Sequence, residues 1–352
     1  MRTLLLLTLL LATFSLSAQT KNVLFEEFTG TACGNCPSGH YIMDDLLDTY
    51  SNLIGVGLHT YNSNDAMFFP EIDTIGQAYT PGAPMAATDR IFSGSSAAQP
   101  WTTWESDIQT RLAESPKLSV SLDVTWNSSS RLISTIITCD MLQNLPTGDY
   151  RFNLYVVEDS VTGTGSGYDQ TSYYDSDPSL PFFGLGNPIV GYVHRHVARA
   201  ILPNSWGQGG IISSSPLTGE SFSTAINYTL PVSYDEQKIE LVAFISKHTS
   251  NHQGDEVYNA DKAPLIDGSV GIATLSQETG FDVYPNPSDG TVYLNVKSNG
   301  KIRLSNSTGK TVMTIDLKKG TNSIDLNSLP KGIYYANMIT KYSSTTRKIV
   351  LN

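Results

Sequence analysis

The feature that most constrains the fold is a pair of closely spaced cysteines, Cys33-Gly34-Asn35-Cys36, set between a predicted strand and a predicted helix. The strand covers residues 22–28, and the helix begins near Cys36 with Pro37 at its first position, where a missing N–H costs nothing. Residues 53–58 form a second, wholly apolar strand, which is typical of a parallel sheet. Strand, helix and strand in this order predict a βαβ unit.

The position of the cysteine pair is compatible with redox chemistry or with a structural disulfide. At a helix N-terminus, Cys33 would face unpaired N–H groups and the positive end of the helix dipole, which lower the pKa of a thiol. Such a thiolate attacks other disulfides, and Cys36 would then resolve the mixed disulfide. A Cys33–Cys36 bond that only holds the helix start fits the same spacing. A zinc site is a further alternative, although a second ligand pair at standard spacing is missing; its ligands would be Cys33, Cys36, His40 and His59.

The remaining cysteine and a histidine pair are interpreted as structural. Cys139 shares a predicted strand face with Ile133 and Ile137, which indicates a buried, inert thiol. His194 and His196 would point the same way on a strand, and we interpret them as a polar strand face rather than as metal ligands. We therefore predict no metal site and no cofactor.

The pattern of strands and turns divides the chain into regions. Residues 21–115 contain the βαβ unit, and residues 116–272 carry alternating strands that predict an antiparallel β-sandwich. Within the latter, residues 163–188 are rich in Gly, Tyr and Asp and predict a long surface loop. A linker at residues 273–280 leads to a small all-β domain at residues 281–352.

Residues 1–18 have the layout of a secretory signal peptide. Arg2 gives a basic start, a leucine-rich run follows, and small residues end at Ala18. The run is too short to span a bilayer of about 30 Å, and no later stretch is long and apolar enough to do so. We expect export to the periplasm and no transmembrane segment in the mature chain.

The charge balance argues against nucleic acid as a partner. Lys and Arg number 22 against 33 Asp and Glu, for a net charge of −11. An acidic chain repels phosphate backbones, so we predict no nucleic-acid partner.

Strand, Cys-x-x-Cys, helix and strand together resemble the thioredoxin fold. The resemblance implies that Glu27, six residues before Cys33, is the buried acid that moves a proton at the resolving cysteine. It also implies that Pro84 is the cis-proline facing the disulfide. One departure is Ala32, which stands where thioredoxins carry Trp. If the site is redox-active, its catalytic residues by this resemblance are Cys33, Cys36, Glu27 and Pro84.

A longer run resembles the outer-membrane-protein family named for a twenty-eight-kilodalton surface antigen of Gram-negative bacteria. The matching residues are Phe25-Glu26-Glu27-Phe28-Thr29-Gly30, Cys33-Gly34-Asn35-Cys36-Pro37 and Gly39-His40. That family joins a thioredoxin-like part to a β-sandwich, which implies a surface or secreted protein used for binding or adhesion.

The tail resembles a type A sorting domain of the type IX secretion system. The matching residues are Tyr284-Pro285-Asn286-Pro287, Gly290, Leu329-Pro330-Lys331-Gly332-Ile333-Tyr334 and Lys348-Ile349-Val350-Leu351. The resemblance implies passage across the outer membrane and contact with the type IX machinery through residues 281–352.

We therefore predict a thioredoxin-like α/β domain, an antiparallel β-sandwich and a small all-β sorting domain. The protein is expected to be secreted or held at the outer-membrane surface, where the sandwich binds an unidentified surface or protein ligand. Aromatic residues commonly anchor such contacts, and the candidates are Tyr168, Tyr173, Tyr174, Phe182, Phe183 and Trp206. The alternative is an extracytoplasmic thiol–disulfide oxidoreductase that uses Cys33 and Cys36.

Overall fold

A computed structural model of the chain describes residues 20–266, 281–296, 300–306, 311–339 and 344–352. The chain divides into two compact units, Met1–Ser269 and Val270–Asn352. The predicted signal peptide (residues 1–18) and the predicted linker (residues 273–280) lie outside the described residues. Within the described ranges, no helix has the length and apolar character needed to cross a membrane.

The described part of the first unit contains three α-helices and eleven strands. The helices are α1 (Cys36–Thr49), α2 (Pro70–Tyr79) and α3 (Trp104–Leu112). The strands are β1 (Val23–Thr29), β2 (Leu53–His59), β3 (Met85–Thr88), β4 (Ala98–Gln99), β5 (Leu118–Asn127), β6 (Leu132–Met141), β7 (Asp149–Glu158), β8 (Val197–Leu202), β9 (Ser221–Thr229), β10 (Ile239–His248) and β11 (Val257–Pro264).

Eight of these strands form one mixed sheet in the order β11-β10-β7-β8-β2-β1-β3-β4. β1 and β2 run parallel and are joined through α1, as the βαβ prediction requires. β7, β8, β10 and β11 come from the predicted sandwich region, yet they continue the sheet that β1 to β4 begin. The predicted boundary at residue 115 therefore does not separate two sheets. The sequence could not show this, because alternation within a strand does not reveal which strands pair.

The other three strands form a second sheet, β5-β6-β9, against one face of the long sheet. Ile137 of β6 shares a buried core with Leu154 of β7 and Leu241 of β10. Tyr155, the next residue of β7, belongs to a second core together with Ile72 of α2. The first unit is therefore mostly β, with two packed sheets in its middle and few helices.

The strand that leads to the cysteine pair, β1, packs against α1 and α3 and pairs with β2 and β3. All residues of β1 are buried. α1 begins at Cys36 with Pro37 in its first turn, and it buries Met43 in the same core as Phe25 of β1 and Trp104 of α3. The first helix therefore starts where the sequence predicts it.

The second unit is built from strands in two sheets, in agreement with the predicted all-β domain. Its described strands are β12 (Phe281–Tyr284), β13 (Thr291–Val296), β14 (Gly300–Asn306), β15 (Thr311–Leu317), β16 (Gly320–Asp325), β17 (Gly332–Ile339) and β18 (Ser344–Leu351). They pair as β12-β13-β16 and β15-β14-β17-β18. Leu294, Leu304 and Ile349 contribute to a core of the unit's own.

Candidate functional site

The cysteine pair lies where β1 passes into α1. Cys33 and Cys36 form a disulfide with Cα atoms 5.4 Å apart. The turn is closed by the Cys36 N–H, which donates to the Cys33 carbonyl (3.2 Å). Cys33 is 4% exposed and Cys36 is 0% exposed. The bond is thus shielded from solvent, whereas a disulfide that exchanges with a protein substrate must present a sulfur to it.

The loop at residues 163–193, here called the covering segment, lies over the disulfide. Its Gln170 is fully buried. The Gln170 side-chain nitrogen lies 3.0 Å from the Cys33 carbonyl oxygen, 3.2 Å from that of Gly30 and 3.3 Å from that of Thr31. An amide group has two hydrogens to donate, so these carbonyls share them. The Gln170 side chain therefore joins the covering segment to the cysteine turn.

Backbone contacts fix the covering segment on the C-terminal side of Gln170. The Thr171 N–H donates to the Thr31 carbonyl (2.8 Å), and the Tyr173 N–H donates to the Gly34 carbonyl (2.9 Å). The Tyr173 ring lies so close to Gly34 that a Cβ there would be 2.5 Å from it. Gly34 is therefore needed for this close approach, and the predicted surface loop is in part a buried cover.

Glu27 lies on the strand face that meets α1, at the helix residue Gly39. A Cβ at Gly39 would overlap the Glu27 carboxyl group and lie 2.8 Å from Pro84 Cβ. Glu27 is fully buried, and neither carboxyl oxygen has a hydrogen-bond partner among the described residues. Burial, with a contribution from nearby Asp44, raises the pKa of Glu27 well above its ordinary value. Glu27 is therefore held as a neutral acid.

Pro84 and Glu27 thus meet the same turn of α1, one turn after Cys36. The Ala83–Pro84 peptide bond is cis. The structure brings together all four residues that the sequence analysis singled out for this site: Cys33, Cys36, Glu27 and Pro84. Gln170 is the residue that sequence reasoning missed, because its partner Cys33 is 137 positions away.

The histidines near this turn are occupied by hydrogen bonds. His40 Nε2 lies 2.6 Å from Thr29 Oγ1, and His40 Nδ1 lies 2.9 Å from the Tyr192 hydroxyl. Burial lowers the pKa of His40 well below its ordinary value, so the ring is neutral. His59 Nδ1 pairs with Asp65 at 2.7 Å. The structure uses these groups in other ways, since both cysteines are in the disulfide and both His40 nitrogens are within hydrogen-bond distance of a neighbour.

The interpretation of His194 and His196 as one polar strand face is wrong, because both residues precede β8. His196 has a φ of +54° immediately before β8, which turns the chain between them. His194 Nε2 lies 2.8 Å from the Tyr168 carbonyl, whereas His196 Nε2 pairs with Asp44 at 3.3 Å. Burial lowers the pKa of His194 to about 4.

Cys139 is a free, buried cysteine on β6, as predicted. Burial raises the pKa of its thiol to about 12, with a smaller effect of Asp140. A protonated thiol without solvent access is unreactive, so Cys139 is inert.

The covering segment presents an apolar surface to solvent. Five of its residues and one residue of α1 are each between 48% and 75% exposed: Tyr41, Tyr173, Phe183, Leu185, Val190 and Val193. Phe182 is buried instead, and its ring contacts Tyr41 and Tyr174. Trp206 lies elsewhere, stacked on His252. The predicted set of contact residues is therefore divided among an exposed surface, its support and a separate cluster.

Comparison with known protein families places the chain in one of them. Residues 282–352 match the family profile described as "Secretion system C-terminal sorting domain". Residues 73–265 match the profile described as "Outer membrane protein Omp28". The chain is therefore a secreted or cell-surface protein that is exported by the type IX secretion system. It belongs to the Omp28 outer membrane protein family.

One solved structure supports the fold. HBP35 of Porphyromonas gingivalis matches with a TM-score of 0.55 and 17% identity, over 95% of this chain and 99% of that chain. A domain of the outer membrane lipoprotein Omp28 from Porphyromonas gingivalis matches with a TM-score of 0.24 and 13% identity, over 43% of this chain and 90% of that one. Only the first of these supports a common fold. A comparison with curated proteins found no match.

Proposed function

We propose that this protein is a surface-displayed binding protein in which the Cys33–Cys36 disulfide is structural and the covering segment supplies the contact surface. The observation that carries the proposal is the burial of both cysteines, at 4% and 0% exposure, beneath a segment fixed by Gln170. A disulfide in this position stabilises the turn and the loop above it.

We further propose that residues 21–115 contribute a thioredoxin-like α/β core. The parallel β1-α1-β2 unit, with β3 antiparallel on the other side of β1, supports this reading. The meeting of Glu27 and Pro84 at Gly39 also supports it. In this scheme the core is a scaffold, and the residues that cover its cysteine turn have taken over the role of recognition.

The contact surface is the apolar part of the covering segment, and its partner is a polypeptide with exposed aromatic or aliphatic side chains. Aromatic side chains bury large areas at low entropic cost, so they dominate protein interfaces. Long-range electrostatic attraction contributes less to binding than this burial does, because the exposed residues of the contact surface are uncharged.

A random-peptide display library tests the contact surface. Peptides selected on the wild-type protein are expected to be rich in aromatic and aliphatic residues. They should bind a Tyr173→Ser, Phe183→Ser, Leu185→Ser variant at least tenfold more weakly. Val232→Ser is the matched control, because Val232 is 89% exposed in the same unit but outside the covering segment. Equal binding by both variants contradicts the proposal.

Equilibration with glutathione buffers tests the structural disulfide. We expect a reduction potential below about −300 mV, the range of structural bonds. The protein should also reduce insulin no faster than a Cys33→Ser, Cys36→Ser variant. The fraction of reduced protein is measured by alkylating free thiols. All proteins in this test carry Cys139→Ser, so that only Cys33 and Cys36 are counted. A markedly higher potential, or catalysis that the double variant loses, overturns this part of the proposal.

The second candidate function is oxidation of substrate dithiols, and the buried neutral Glu27 favours it. A substrate thiolate would attack Cys33 Sγ, the Cys33–Cys36 bond would break, and Cys36 would leave and take a proton from Glu27. A second substrate thiolate would then break the mixed disulfide and release Cys33, so two electrons pass from the substrate to the protein. This candidate predicts that the oxidised protein converts a dithiol peptide to its disulfide and that Glu27→Gln slows the reaction without unfolding the chain.

A further inference from the structure

A cluster of two imidazoles and one carboxylate lies in the connection between β10 and β11, apart from the cysteine turn. His248 ends β10, and His252 and Asp255 follow in the loop before β11. One ligand atom from each of the three lies within 4.8 Å of the other two. Across the ranges that the structure describes, no other three His, Cys, Asp or Glu side chains meet in this way.

Asp255 is the fixed member of the cluster. It is 1% exposed, and its Oδ1 accepts hydrogen bonds from the Thr249 N–H (2.6 Å) and hydroxyl (2.8 Å). Its Oδ2 accepts from the Tyr79 hydroxyl at the end of α2 (2.8 Å). The same oxygen lies 2.8 Å from His252 Nδ1 and 3.6 Å from His248 Nδ1. Asp255 therefore turns one buried oxygen towards both imidazoles.

The two rings are held by their surroundings. Trp206 stacks on His252 with ring centroids 3.8 Å apart and planes at 19°. His252 has a φ of +60°, and its ring centroid lies 5.4 Å from that of His248. Arg151 is the nearby cation, and it is paired with Asp149 at 2.5 Å.

The spacing suits a tetrahedral ion. With metal–ligand bonds of about 2.1 Å, neighbouring ligand atoms in a tetrahedron lie roughly 3.4 Å apart. The distances from Asp255 Oδ2 to His252 Nδ1 (2.8 Å) and to His248 Nδ1 (3.6 Å) lie on either side of this value. Replacing the His252–Asp255 hydrogen bond by an ion therefore needs a shift of roughly half an ångström, within the reach of side-chain rotation.

We propose that His248, His252 and Asp255 bind a divalent transition-metal ion of the zinc type. Imidazole nitrogen with a single carboxylate oxygen favours zinc over magnesium or calcium, which take all-oxygen sites. Three protein ligands leave a fourth position, and both histidine side chains are partly exposed, so this position opens to solvent. The ion joins the β10–β11 loop through Asp255 to the end of α2 and can accept water or a carboxylate from outside.

Titration calorimetry with zinc chloride on the untagged, metal-free protein tests the proposal. We expect one zinc ion per chain, with binding weakened at least about a hundredfold by His248→Ala and by His252→Asn. Asn is chosen at position 252 because it tolerates positive φ. His196→Ala is the matched control, since His196 lies outside the cluster and pairs with Asp44. No stoichiometric binding by the wild type, or unchanged binding by both cluster variants, overturns the proposal.

A fluorescence measurement locates the ion independently. Copper(II) quenches tryptophan at short range, and Trp206 contacts the cluster directly. Stoichiometric copper should quench part of the wild-type emission. It should leave the emission of Trp206→Phe unquenched, while that variant keeps its affinity for zinc. Equal quenching in the Trp206→Phe variant means that the ion binds elsewhere and contradicts the assignment.

Discussion

Two adjacent glutamates on β1 are fully buried but have opposite electrostatic roles. Glu26 forms two hydrogen bonds of 2.8 Å to the Arg90 guanidinium and one of 2.7 Å to Tyr155. Glu27 points to the other face, where nothing among the described residues bonds its carboxyl group. The alternation of a strand separates the two side chains, so one acid is paired and the other is neutral.

Replacing Glu27 with Gln should stabilise the protein in a pH-dependent way. The raised pKa of Glu27 means that the folded state keeps its proton at pH values where the unfolded state, with an ordinary value of 4.5, has lost it. The free energy of unfolding of the wild type therefore falls as the pH rises above about 4.5. Glu27→Gln removes this loss, so urea unfolding should show the variant gaining on the wild type as the pH rises above that value. The two should converge near pH 4.

Glu26→Gln is the matched control one position away. It leaves the Arg90 charge buried without its full partner, which costs about 3–5 kcal/mol. The control should therefore be less stable than the wild type at neutral pH. If Glu27→Gln destabilises the protein equally at every pH, the neutral state assigned to Glu27 is wrong.

For single residues, the sequence predicts where a side chain lies within an element better than it predicts which distant residue that side chain contacts. The resemblance that singles out Glu27, six residues before Cys33, points to a buried acid, and Glu27 is fully buried beside Gly39. The partner of Glu26, Arg90, is 64 residues away and has a φ of +56°, which no local pattern indicates. His248 and His252 are separated by three residues, a spacing that zinc sites use, but only the folded loop brings Asp255 to them as a third ligand.

The Gln170 side chain holds the covering segment on three carbonyls of the cysteine turn. Gln170→Ala removes donors to several buried carbonyls, a loss of roughly 1–3 kcal/mol from the closed state. The Cys33–Cys36 bond should then be reduced by a small thiol about tenfold to a hundredfold faster under native conditions. Mass spectrometry after timed alkylation measures this rate.

Gln143→Ala serves as the comparison, because this residue lies outside the covering segment and the cysteine turn. Its rate of reduction should equal that of the wild type. A Gln170→Ala protein that is reduced no faster means that the segment does not limit access to the disulfide.

Among the elements, strands with clear alternation and the helix after the cysteines were predictable from sequence. α1 begins at Cys36, where its start was predicted. α2 was missed, although Ile72, Ile75 and Tyr79 recur at helical spacing. The pairing of β8 with β2 could not be predicted from sequence either, because it consists of a short parallel contact between Gly57 and Val197. Pairing of this kind depends on the rest of the fold and not on the strand itself.

At the scale of the whole molecule, each unit has its own buried core. Deleting residues 281–352 should therefore leave the unfolding midpoint of the first unit unchanged, as measured by circular dichroism. The same deletion should remove the protein from the cell surface and the medium and leave it in the periplasm, because the sorting domain is lost. Immunoblotting of cell fractions measures this distribution. A truncated chain that still reaches the surface contradicts the assigned role of the tail.

The covering segment leaves the long sheet at the end of β7 and returns to it at β8, and these two strands are antiparallel neighbours. A short hairpin could close the same gap, so the sheet does not need this insertion to keep its order. A foreign epitope inserted at its exposed part, near Phe183 and Leu185, should accordingly leave the scaffold, the cover over the disulfide and the secretion signal in place. The architecture thus offers a site for cell-surface display in bacteria that use this export route.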